Sequence, residues 1–93
     1  MIFENDRVRV LETFIPMGDT TALHTHRRPT AMHVVSGDHF VRRDAEGIVE
    51  IDTRHQEPPF EMPPILWSED NPPHTIENVG EVDLVLIGVE IKR

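Results

Sequence analysis

The stretch "ALHTHRRPTAMHVVSGD", Ala22 to Asp38, holds three of the chain's six histidines and closes on a Ser-Gly-Asp turn. His24 and His26 are two apart, so on a β-strand both project from the same face. Neutral imidazoles are good ligands for transition metals, but two do not hold an ion, so a third must come from elsewhere. The remaining candidate lies in "HTIEN", where His74, Ile76 and Asn78 share a strand face. If that strand lies beside the one carrying His24 and His26, three imidazoles can converge inside a barrel.

The rest of the chain reads as strands. Alternation recurs in Arg7–Ile15, His39–Arg43, Gly47–Asp52, His74–Val79 and Asp83–Ile91, each rich in Val, Ile, Thr or Phe. Turn signals separate them at 16–19, 36–38, 44–47 and 79–83. Helical periodicity is hard to find, and strands at this spacing predict an all-β sandwich or barrel of about seven to nine strands. Pro-Pro pairs at 58–59, 63–64 and 72–73 mark loops and edges, because proline cannot donate to a ladder. Residues 55–64 are accordingly read as an extended loop. With no repeat, linker or low-complexity tract, residues 1–93 form one domain.

Composition narrows the function. The chain has 93 residues, no cysteine and a formal net charge of −8. That excludes thiolate ligands, disulfides and a cysteine nucleophile. An acidic surface repels phosphate backbones, which disfavours nucleic-acid binding. No apolar run reaches the ~18–20 residues of a membrane span and no signal pattern opens the sequence, so a soluble cytoplasmic protein is expected. Neither a nucleophile elbow around Ser36 or Ser68 nor a glycine-rich phosphate loop is present.

These motifs resemble those of small single-domain cupins. The first cupin motif runs glycine, five residues, His-x-His, three or four residues, Glu, six residues, glycine. Here it reads Gly18, His24-Thr25-His26, Thr30 in place of the glutamate, and Gly37. The second motif, Pro-x-Gly-x-x-His-x-x-x-Asn, is met at His74 and Asn78, with Glu69 and Asn71 where its proline and glycine would be. The opening "ENDRVRVLE" and the closing "HTIENVG…VLIGVEIK" also resemble bacterial cupins likened to a β-alanine-degradation protein.

The resemblance implies a cupin-type double-stranded β-helix, or jelly-roll barrel. It also implies a divalent transition metal (Fe, Mn, Ni, Cu or Zn) held by His24, His26 and His74. Thr30 is too short and neutral to replace the glutamate, which leaves a three-histidine set with coordination positions open to a small-molecule ligand. An oxygenase-like enzyme is one outcome. A non-catalytic sensing module and a metal-free isomerase or epimerase with a histidine base are the alternatives.

Of the other histidines, His33 and His39 are expected at the surface, His33 also as a dimer contact, while His55 sits in a loop able to fold over the barrel mouth. Glu69 and Asp70 are candidates to orient a ligand histidine through its second nitrogen. Asn78 either faces the site or ties off a strand end. Trp67, Phe14, Phe40, Phe60 and Met32 are read as core or pocket wall. A homodimer is expected, since a small sandwich exposes edge strands that sheets rarely leave bare, with Arg7–Ile15 and Asp83–Ile91 pairing or packing across the axis.

Overall fold

A computed structural model describes residues 2–69 and 71–92, and of His26 the backbone. Nine strands follow in order: β1 Phe3–Glu4, β2 Val8–Ile15, β3 His24–His26, β4 Thr30–Ser36, β5 Phe40–Asp44, β6 Val49–Asp52, β7 Ile65–Ser68, β8 Asn71–Asn78 and β9 Leu84–Ile91. A 3₁₀ turn, Thr53–His55, follows β6. All strand pairings are antiparallel, in a five-stranded sheet ordered β1-β2-β9-β4-β7 and a four-stranded sheet ordered β3-β8-β5-β6. The all-β reading and the strand number hold.

Turn chemistry sets where the chain reverses. Gly18 and Gly47 carry φ of 82° and 83°, a region that glycine enters without steric cost. The Asp19 amide donates to Pro16 at 3.0 Å, and the Gly47 amide to Asp44 at 3.0 Å. The turn before β9 closes differently. Asp38 accepts from the His39 amide at 2.7 Å and from the Glu81 amide at 3.1 Å. A Cβ at Gly80 would overlap that carboxylate.

Four strands lie outside the five alternating stretches, β3 and β4 within the histidine-rich segment and β1 and β7 with no signal of their own. β1 is two residues long, and β7 follows directly on the proline-rich stretch, where four residues are too few to show a period. Residues 56–64 contain no strand, as the prolines required, and the Pro64 carbonyl accepts from Val34 at 2.8 Å just before β7 begins. The pair Pro72-Pro73, by contrast, lies inside β8. β5 reaches only to His74, and β3 shifts register between His24 and His26, so the two prolines sit where no regular ladder asks for their missing N–H.

The expected edge pairing by residues 83–91 is also corrected. β9 is interior, hydrogen-bonded to β2 on one side and β4 on the other along its length, so no ladder edge remains for a second copy. Few apolar side chains are fully buried: Ile15, Val41 and Leu84. Inward-facing side chains of both sheets instead line a cavity of about 550 Å³, and that cavity replaces a packed centre.

Candidate metal and ligand site

Strand parity decides which side chains reach the cavity. On β8, His74 and Ile76 line it; on β5, Phe40 and Arg42; on β4, Met32; on β9, Leu84 and Leu86. β3 and β8 pair so that His24 lies opposite His74. Their ring centroids are 4.4 Å apart with the planes inclined by 60°.

Each ring is oriented by the backbone in the same way. His24 Nδ1 lies 2.8 Å from the Ala22 carbonyl, and His74 Nδ1 lies 2.9 Å from the Pro72 carbonyl. A carbonyl only accepts, so Nδ1 is a protonated nitrogen in each ring, and the tautomer this selects for a neutral imidazole has its lone pair on Nε2. Burial, with Arg42 and His24 nearby, holds the His74 pKa below the usual 6.5 against the opposing hydrogen bond to Pro72. This keeps His74 in the neutral form that metals require.

Among the described residues no group of three or more His, Cys, Asp or Glu side chains is placed to hold a metal. The third ligand of the expected set is His26, whose backbone pairs with Asn71 on the same two strands, past a register shift. Backbone carbonyls, rather than Glu69, engage the second nitrogens of His24 and His74. Glu69 lines the cavity rim and accepts from Trp67 Nε1 at 3.0 Å, and Asp70 lies outside the described residues.

Thr30 opens β4 on the inward side, next but one to Met32, and is buried, with its hydroxyl turned onto the Arg28 carbonyl at 3.1 Å. Across the ladder it stands opposite Glu90 on β9 and Ser68 on β7, and Glu90 in turn opposes Arg9 on β2. Glu90 is buried between two guanidiniums, Arg9 at 3.2 Å and Arg28 at 3.5 Å. A carboxylate therefore sits one strand away from the position where cupins carry theirs, held by arginines.

The other expected positions divide. Asn78 shares the inward face but ties off the strand: its Nδ2 donates to the Ile15 and Val82 carbonyls, each at 2.9 Å, and its Oδ1 accepts from Gly80 at 3.0 Å. His33 is exposed, as expected. His39 is not a free surface residue: it is half-buried, with Nδ1 3.0 Å from the hydroxyl of the buried Thr53. His55 sits in the 3₁₀ turn, largely exposed beside Asp52, away from the cavity wall. Phe40 and Met32 line the cavity, and Phe60 packs edge-on against Phe40. Phe14 faces outward and is 56% exposed, because its strand mates Ile15 and Thr13 take the inward positions. Trp67, 54% exposed, reaches only the rim.

Arg42 was missed. Its signal was available in the alternation of His39–Arg43: a strand that turns Phe40 inward must turn Arg42 inward too.

Solved structures share this architecture. A cupin domain from Bordetella pertussis Tohama I superposes with a TM-score of 0.75 at 19% identity, over 99% of this chain and 88% of that one. The fold is that of a cupin. A conserved protein with a double-stranded β-helix domain from Klebsiella pneumoniae gives 0.66 at 19% identity, over 97% and 71% of the two chains. A predicted oxalate decarboxylase from Thermotoga maritima gives 0.54 at 21% identity, over 90% and 65%. No family model and no curated protein matches the chain, and the likeness to β-alanine-degradation proteins finds no support. Within this cupin barrel, His24 and His26 lie on β3 and His74 on β8, two adjacent strands bordering the cavity.

Proposed function

We propose that this cupin binds a divalent transition metal (Fe, Mn, Ni, Cu or Zn) through His24, His26 and His74 and takes a small molecule in the adjoining cavity. The observation that carries this reading is the matched pair of rings, each with Nδ1 held by the carbonyl two residues earlier. That arrangement presents Nε2 as the ligating nitrogen and fixes the ring before any ion arrives, as supporting hydrogen bonds do in metal sites. Three neutral ligands leave coordination positions for water or a ligand and keep the full charge of the ion. With a redox metal such a site suits oxygenase-like chemistry; with zinc it suits water activation. A cytoplasmic location is part of the same proposal; no helix among the described residues is long and apolar enough to cross a membrane.

Calorimetric titration of tag-free protein with each metal tests the proposal, with His24→Ala, His26→Ala and His74→Ala alongside. One metal per chain, lost in every variant, is the expected result. Equal binding by wild type and His26→Ala would refute the ligand set. A site that binds no metal while still taking small molecules would favour the non-catalytic module or the metal-free isomerase.

We also propose that the chain forms a homodimer through the outer face of the five-stranded sheet. Phe14, Val35 and Ile65 there are 56–58% exposed, an apolar density unusual for a solvent face. Glu12, Ile87 and His33 form one row across β2, β9 and β4, with Glu12 and His33 both exposed. A two-fold axis along β9 at Ile87 lays Glu12 of each copy over the partner's His33, so the face complements itself. Light scattering at tens of micromolar checks this: a dimer mass is expected, Ile87→Lys gives a monomer, and a monomeric wild type overturns it.

A further inference from the structure

Arg42 is a permanent cation in the cavity wall, and the sequence motifs leave it without a role. Its guanidinium has five N–H donors. Nε donates to Glu50 at 3.0 Å, and Nη2 donates to Asn71 Oδ1 at 3.3 Å. Among the described residues no further acceptor takes the remaining three hydrogens, two of them on Nη1. The side chain is only 21% exposed, so solvent does not fully satisfy them. Asn71 is in turn held by donating to Ser68 Oγ and, at 3.2 Å, to the Glu69 carbonyl, which fixes the partner that positions the fork. Beyond this polar end and the two histidines, most of the wall is apolar: Phe40, Ile51, Met62, Leu66, Ile76 and Leu86.

We propose that the cavity binds a small monocarboxylic acid with an apolar tail, its carboxylate on the Arg42 guanidinium and its tail along the hydrophobic wall. The inference rests on reading the cavity as the ligand site but does not require a metal. Two parallel N–H···O bonds from a guanidinium match a carboxylate, and a partly desolvated site strengthens them. A cavity of about 550 Å³ lies within the size range of small-molecule pockets and accommodates an acid of six to ten heavy atoms, a rough count. An oxalate-like dianion has no tail to lay along the apolar wall and brings a second negative charge into a cavity that Glu69 also lines, which selects against it. Glu50 competes for the same guanidinium with a side chain that is 39% exposed, and so tunes the affinity.

The test is calorimetric titration of EDTA-treated protein with hexanoate, hexanamide and oxalate, repeated with Arg42→Gln, Arg42→Lys and Glu50→Gln. Hexanoate is expected to bind, with hexanamide and oxalate each at least about tenfold weaker, the loss expected for a charge-assisted bond exchanged for a neutral one. Arg42→Gln loses hexanoate, Arg42→Lys keeps part of the affinity, and Glu50→Gln tightens it. That gain cannot come from a variant that merely unfolds. Hexanamide binding as well as hexanoate, oxalate matching hexanoate, no hexanoate binding, or affinity unchanged in Arg42→Gln overturns the proposal. Metal titration of the same samples separates the two readings: hexanoate binding without metal binding sinks the metal site alone, and the reverse sinks the carboxylate site alone.

Discussion

Replacing Asn78 tests whether the asparagine of the second motif is structural. It is 1% exposed and makes three hydrogen bonds, to the carbonyls of Ile15 and Val82 and from the amide of Gly80. They join the end of β2, the end of β8 and the turn before β9, three segments that no ladder holds together at that point. Asn78→Ala removes all three partners, and at a net ~1 kcal/mol each the loss is about 3 kcal/mol. For a domain of this size each kcal/mol moves the melting temperature by roughly 4–8 °C, so a fall of about 12–24 °C is expected. Asn78→Asp keeps the acceptor for Gly80 but turns an oxygen toward two carbonyls. At pH 7 it is at least as destabilised as Asn78→Ala, and it partly recovers in acid, where a protonated carboxyl donates again. Scanning calorimetry at pH 7 and pH 5 measures both. A fall of less than about 4 °C for Asn78→Ala, or a fully stable Asn78→Asp at pH 7, refutes the structural role.

Thr30→Glu restores the carboxylate of the first cupin motif but also places it directly across the ladder from Glu90 on the same face. The metal-free variant loses up to about 1 kcal/mol, as like charges opposed across strands do. Metal binding tightens, and calorimetry showing no tightening counts against His24, His26 and His74 as the ligand set. In Gly80→Ala the new methyl group expels the Asp38 carboxylate from the His39 and Glu81 amides, costing about 2–4 kcal/mol for lost charge-assisted bonds. In an Asp38→Ala background the same substitution costs little more, and urea unfolding of the four-protein cycle reads the difference. Because burial above all keeps the His74 pKa below 6.5, the unfolded chain takes up a proton near that pH that the folded chain refuses. Metal-free protein therefore loses stability as pH falls below about 6.5, and His74→Gln flattens that slope in denaturant titrations at pH 7.5 and 5.5.

The alternation of Val, Ile and Thr with polar residues, cut by Gly and Pro turns, was enough to make this chain all-β, because a period of two admits no other buried face. The spacing of Gly18, His24, His26, His74 and Asn78 was enough to name the cupin barrel, since each marks a turn or strand position. Local pattern stopped at strand order. Nothing in residues 83–91 says that β9 lies between β2 and β4 rather than at an edge, because an interior and an edge strand of one apolarity read alike. The role of Asn78 was equally open: its partner at Ile15 lies 63 residues away, at the end of β2. Glu90 and Arg42 showed their parity in the sequence, but not what they met. Only the ladders place Glu90 against Arg9 and Thr30, and set Arg42 on β5 opposite Ile76, two residues from His74 on β8. Ladder neighbours and cavity walls are made by residues far apart in the chain, so they are decided when the sheets pack.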